Sequence, residues 1–119
     1  MSPEDVRKLI EKSLDADKAL DIKVIELGAE TAIADYMVIA SGTSSRHVAA
    51  MAEKLRERLE ARGLKQIRIE GLAQADWVAI DAGDVIVHLF RPEVRSFYNI
   101  EKMWVSFENH GPAESRLPA

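Results

Sequence analysis

Five consecutive apolar residues, Tyr36-Met37-Val38-Ile39-Ala40, run into the turn-formers Ser41-Gly42-Thr43-Ser44-Ser45 and then into a stretch of helical periodicity. A strand without polar alternation must be covered on both faces, which places it inside a sheet. Over residues 45 to 62, Val48, Met51, Ala52, Leu55 and Leu59 form one apolar stripe with charged residues opposite, and Gly63 supplies a C-terminal stop. Strand, short turn and amphipathic helix make half of a βαβ unit. The chain is therefore constrained to a sheet with helices layered on it.

The flanking segments extend that layer. Residues 2 to 19 read as a helix: Ser2 caps it, Pro3 suits the first turn, and Glu4 and Asp5 favour the positive end of the dipole. Its buried face is Val6, Leu9, Ile10 and Leu14. A strand follows over residues 22 to 27, ended by Gly28, and residues 28 to 34 connect it to the apolar run. Residues 66 to 70 form a short strand with Ile67 and Ile69 on one face. Residues 77 to 81 and 84 to 90 form two more, joined by the hairpin turn Asp81-Ala82-Gly83-Asp84. After Pro92 the pattern is helical to about residue 109, where Gly111-Pro112 ends it. The order is α-β-β-α-β-β-β-α. It predicts an α/β (α+β) fold with a single mixed five-stranded sheet packed with helices, because the hairpin excludes a purely parallel sheet. Residues 1–109 are expected to form one domain and 110–119 a flexible tail.

Composition narrows the function classes. Cysteine is absent, which excludes disulfide frameworks, thiolate nucleophiles and cysteine-ligated zinc. No apolar run reaches the ~20 residues that cross a bilayer, and the acidic, amphipathic start does not resemble a targeting peptide, so a cytoplasmic location is expected. The net charge of −4 gives no basic excess for a phosphate backbone, so sequence-specific nucleic-acid binding is not expected. If the chain meets a ribonucleoprotein, its charge suits a basic protein component better than bare RNA.

No catalytic constellation emerges. The Gly42-Thr43-Ser44-Ser45-Arg46-His47 turn has a single glycine and no lysine of the phosphate-binding type, so it reads first as a helix cap and second as a functional surface. Asp76, Asp81 and Asp84 lie around the hairpin, but Asp81 and Asp84 stand at the two ends of a turn, which hairpin chemistry explains without metal. His47, His88 and His110 fall on different elements and make no metal-ligand set. His88 alternates with Ile86 and Phe90 in a strand and reads as a hydrogen-bonded structural histidine. No G-x-S-x-G elbow is present. No cofactor, metal or catalytic residue is assigned. The aromatics Trp77, Phe90, Phe97, Tyr98, Trp104 and Phe107 are divided between core and interface, because the closing helix carries a second apolar stripe with Ile100 and Met103.

Taken together, three blocks resemble the ribosomal silencing factor (Iojap-like) family. They are the segment from Asp35 through Tyr36-Met37-Val38-Ile39-Ala40 to His47; Glu70-Gly71 with Asp76-Trp77 and Asp81-Ala82-Gly83-Asp84-Val85-Ile86-Val87-His88; and Arg95-Ser96-Phe97-Tyr98-Asn99-Ile100-Glu101-Lys102-Met103-Trp104. The resemblance spans roughly residues 4 to 105. It implies a nucleotidyltransferase-like fold without the catalytic residues. It also implies a translation repressor that binds the large ribosomal subunit through its protein number fourteen and blocks joining of the small subunit when nutrients are scarce. A homodimer of the free protein would fit. With that partner, Trp77, Tyr98 and Trp104 are expected as aromatic anchors, Glu70, Asp76, Asp81 and Glu101 as partners for basic groups, and Arg95 as their positioning residue. The alternative is a metal-dependent nucleotidyltransferase using the Gly42-Thr43-Ser44 turn and Asp81.

Overall fold

A computed structural model describes residues 1–27 and 34–98, with Phe97 and Tyr98 described by their backbone alone. Helix α1 spans Pro3–Ala16 and opens with a capping box. Ser2 Oγ accepts from the Asp5 amide at 3.1 Å, and the Asp5 carboxylate accepts from the Ser2 amide at 3.3 Å. Those bonds from Ser2 hold the Asp5 carboxyl below its ordinary value. The helix stops three residues short of the expected 19, since Lys18 turns left-handed at φ 66° and the Ala19 amide returns to the Leu14 carbonyl.

The strands are β1 (Leu20–Glu26), β2 (Tyr36–Ser41), β3 (Arg68–Glu70), β4 (Trp77–Asp81) and β5 (Val85–Phe90), arranged in the spatial order β1-β2-β5-β4-β3. Helix α2 (Ser45–Ala61) joins β2 to β3, and α3 (Pro92–Tyr98) follows β5. The pair β2–β5 is parallel and the other three pairs are antiparallel, so the sheet is mixed as the hairpin required. Two strand starts differ from the sequence reading by two residues, each for a backbone reason, and the other strand limits agree to within one residue. β1 begins at Leu20 because a bulge at Asp21, φ 49°, lets the pairing with β2 continue past it. β3 begins at Arg68 because Gln66 adopts φ 63°, outside the extended region, and no bulge carries the pairing across it. The continuation of the closing helix to 109, the tail 110–119 and the connection at 28–33 lie outside the described residues.

The continuous apolar run of β2 is covered on both faces. Val38 and Ala40 face α1 and α2, where they meet Ile10, Leu14, Val48, Met51, Leu55 and Leu59 together with Val78, Ile80, Val87 and Leu89 of the neighbouring strands. Met37 and Ile39 face the opposite way and form a second cluster with Leu27 and Phe90, against which Trp77 and Val94 pack. All four residues of that second cluster are fully buried. The two helices on the first face are tied by a polar bridge. Arg58 donates to the Ser13 hydroxyl at 2.7 Å and to Asp17 Oδ2 at 2.8 Å, so the buried Ser13 side chain is satisfied from the other helix. On the second face α3 packs through Val94 on the second cluster beside β5, so only the β3–β4 end of that face is without a helix among the described residues.

Candidate partner-binding face

Strand alternation and register decide which side chains share that face. In one cross-strand row Arg68 stands opposite Asp81, and Asp81 opposite Ile86. In the next, Glu70 stands opposite Ala79, and Ala79 opposite His88. In the third, Trp77 stands opposite Phe90. The face thus grades from a charged rim at the β3 edge to an aromatic centre. A pocket of about 140 Å³ lies on the rim, lined by Arg68, Glu70, Ala79, Ile80, Asp81 and Ile86. Glu70 and Asp81 are exposed, and neither makes an ion pair among the described residues.

Three of the residues expected to contact a partner, Glu70, Trp77 and Asp81, come together here. Asp76 does not join them. One residue before Trp77, it points to the helix side, where it accepts from Ser45 Oγ at 3.2 Å and pairs with Arg91 at 2.9 Å. Arg95 is only 9% exposed and donates to Ser41 Oγ at 2.9 Å, away from Glu70 and Asp81, beside a pocket that Asp21, Lys23 and Ser96 also line. Tyr98 ends α3, its side chain outside the described residues, and Glu101 and Trp104 lie outside them entirely. Arg68, Ile86 and His88 also belong to the face, although the sequence reading gives Arg68 no role and takes His88, alternating with Ile86, as structural only. The signal was present in the period-two alternation of three strands, but only the strand order shows that the three sets align.

Trp77 and His88 form the centre. The indole N–H donates to His88 Nδ1 at 2.9 Å, and both rings lie against Phe90, Trp77 tilted with its centroid 5.0 Å away and His88 stacked at 6.0 Å. This is the hydrogen-bonded histidine that the strand alternation implied. Burial disfavours the charged ring and pushes the His88 pKa down from 6.5 to about 4. The unfolded chain therefore takes up a proton near pH 6.5 while the folded one resists it. His88 contributes its full stability above pH 6.5, and that contribution is lost as the pH falls toward 4. A shift of that size corresponds to roughly 3 kcal/mol. Urea denaturation at pH 7 and pH 4.5 should show wild type losing more stability than His88→Gln, which cannot titrate; parallel losses would place the acid sensitivity elsewhere.

The nucleotidyltransferase constellation is not assembled. Gly42 follows the C-terminal end of β2 beside Phe90 and Trp77, whereas Asp81 ends β4 beside Ile86 and the start of β2. A full strand, about 13 Å at 3.3 Å per residue, separates the two ends. Asp81 Oδ1 instead accepts from the Gly83 amide at 2.9 Å and shapes the hairpin turn. The 42–47 turn is occupied by its own caps. Ser44 Oγ accepts from the His47 amide, and His47 accepts from the Thr43 amide and donates to the Asp17 carbonyl. Among the described residues no three His, Asp or Glu side chains converge as a metal site, and no helix is long and apolar enough to cross a membrane.

Comparison with known proteins gives a consistent result. The sequence profile described as "Ribosomal silencing factor during starvation" matches residues 1–117. A Zymomonas mobilis protein named ribosomal silencing factor RsfS is 61% identical over 102 residues, covering 86% of this chain and 77% of that one. Its Bacillus subtilis namesake is 34% identical and covers 87% and 88%. A mouse protein named for mitochondrial assembly of the ribosomal large subunit is 41% identical over 74% of this chain and 40% of its own length. A crystal structure of a Chromobacterium violaceum protein superposes with a TM-score of 0.84 at 35% identity, covering 88% of each chain. With the first two of the blocks that carried the resemblance seated in and beside one mixed sheet, the chain belongs to the ribosomal silencing factor family.

Proposed function

We propose that this protein binds the large ribosomal subunit through its protein number fourteen and blocks joining of the small subunit, so lowering translation when nutrients are scarce. Family membership is the observation that carries the reading. The mouse relative's name, which refers to the large subunit, supports that half of the ribosome as the partner. The open sheet face supports a protein contact. It has part-exposed Trp77 and His88 over the buried Phe90 and a rim with carboxylates at Glu70 and Asp81, and the chain as a whole is acidic. Aromatic anchors surrounded by a charged rim suit a basic protein surface. Occlusion needs no nucleophile, only an interface of about 800 Å² per partner. A cytoplasmic location and a homodimer of the free protein, as the resemblance implies, belong to the same proposal.

The test is sedimentation of the purified protein with isolated large and small subunits, followed by a subunit-joining assay. Comigration with the large subunit alone, with joining reduced near one-to-one stoichiometry and without nucleotide or metal, is expected. Inhibition at far below one protein per ribosome would sink steric occlusion.

A further inference from the structure

We infer that His88 is the polar specificity residue of the open face, donating its Nε2–H to a main-chain carbonyl of the partner protein. The inference rests on the large-subunit reading above and deepens it by naming a contact. The geometry is independent of that reading. A neutral imidazole has one donor and one acceptor nitrogen. The Trp77 indole can only donate, and it sits 2.9 Å from His88 Nδ1, so Nδ1 is the acceptor and the ring proton is on Nε2. No described residue accepts from Nε2. His88 is half-buried at the middle of the face, flanked in its row by Ala79 on β4 and Ile39 on β2. The tautomer and the ring plane are thus fixed before any partner arrives, by Trp77 on one side and Phe90 on the other.

A fixed donor among apolar side chains imposes a requirement on whatever covers it, because a buried donor without an acceptor is costly. The rim decides among acceptors. Glu70 and Asp81 repel phosphates and carboxylates alike but attract lysine and arginine. A backbone carbonyl in a segment with neighbouring basic side chains satisfies both conditions, which makes the occupant a basic protein surface rather than a nucleic acid.

The experiment compares wild type, His88→Phe, His88→Gln and Trp77→Phe by titrating each against isolated large subunits, with thermal midpoints and side-chain ¹⁵N spectra of the free proteins. Wild type should give the Nε2–H tautomer. His88→Phe keeps the ring stack and removes the donor, and should bind about tenfold more weakly while remaining folded. His88→Gln restores an acceptor for Trp77 and a donor beyond it, and should bind within about twofold of wild type. Trp77→Phe should give mixed tautomers and weakened binding. An Nδ1–H tautomer in wild type, or His88→Phe binding as tightly as wild type, overturns the inference alone. The second result is also what a face covered by another copy or by the chain's own later residues would give. Failure of wild type to bind the large subunit overturns the functional reading and this contact with it.

Discussion

Gly71→Ala is expected to destabilise the domain by about 4 kcal/mol, against about 1 kcal/mol for Gly83→Ala. Both glycines hold φ near +86°, so both substitutions carry the left-handed penalty of a residue with a Cβ. At Gly83 the added carbon meets nothing within 4 Å, and the dihedral cost stands alone. At Gly71 it would overlap the carbonyl oxygen of Trp77, which is backbone and has no rotamer to escape into. The loop cannot yield easily either, because the Gly71 carbonyl accepts from the Ala75 amide at 2.8 Å, and Ala75 is itself at φ 55°. Relief must come from moving the start of β4, which would shift Trp77 away from His88. Urea denaturation should therefore show a midpoint loss several times larger for Gly71→Ala. Any folded fraction should show a displaced Trp77 fluorescence maximum, while Gly83→Ala keeps the wild-type spectrum. Equal losses for the two would mean that the 71–76 loop gives way freely and that the close approach to Trp77 is not what requires glycine.

That close approach also marks the limit of what the sequence discloses. The layered architecture was legible because its signals are local. The unbroken run of β2 requires two covered faces, and the stripe from Val48 to Leu59 supplies one of them. The turn 81–84 fixes an antiparallel pair. The element ends were less legible, because left-handed residues at Lys18 and Gln66 are of types that rarely adopt that conformation and give no local warning. The site was half legible for a different reason. Residue type nominates Trp77, Glu70 and Asp81, but only register tells that they share a face, and that Asp76, one residue away, turns toward Ser45 and Arg91. Arg95 illustrates the same gap. Its guanidinium donates to Ser41 under α3, a long-range contact that no spacing encodes. His88 was read correctly as hydrogen-bonded, yet its partner is eleven residues away across a hairpin and emerges only from the pairing of β4 with β5.

If the rim carboxylates draw in a basic partner, the double variant Glu70→Lys, Asp81→Asn should lose about a hundredfold in large-subunit affinity while keeping its fold. The choice of residues follows from what each carboxylate does. Glu70 is exposed on the edge strand and makes no ion pair among the described residues, so reversing its charge leaves the core untouched. Asp81 accepts the Gly83 amide within the hairpin turn; asparagine keeps that oxygen and removes only the charge. The change turns a rim of two carboxylates and Arg68 into one with two cations, and like charges brought together across an interface cost several kcal/mol. Part of the loss should appear in the association rate, and wild-type binding should weaken with added salt more steeply than that of the variant. Sedimentation titrations at about 50 and 200 mM salt separate the possibilities. A variant that binds as well as wild type, with the same salt dependence, would show that the acidic rim is solvated surface and that the partner meets the molecule elsewhere. A variant that loses affinity with an unchanged salt slope would point to shape at the rim rather than charge as the determinant.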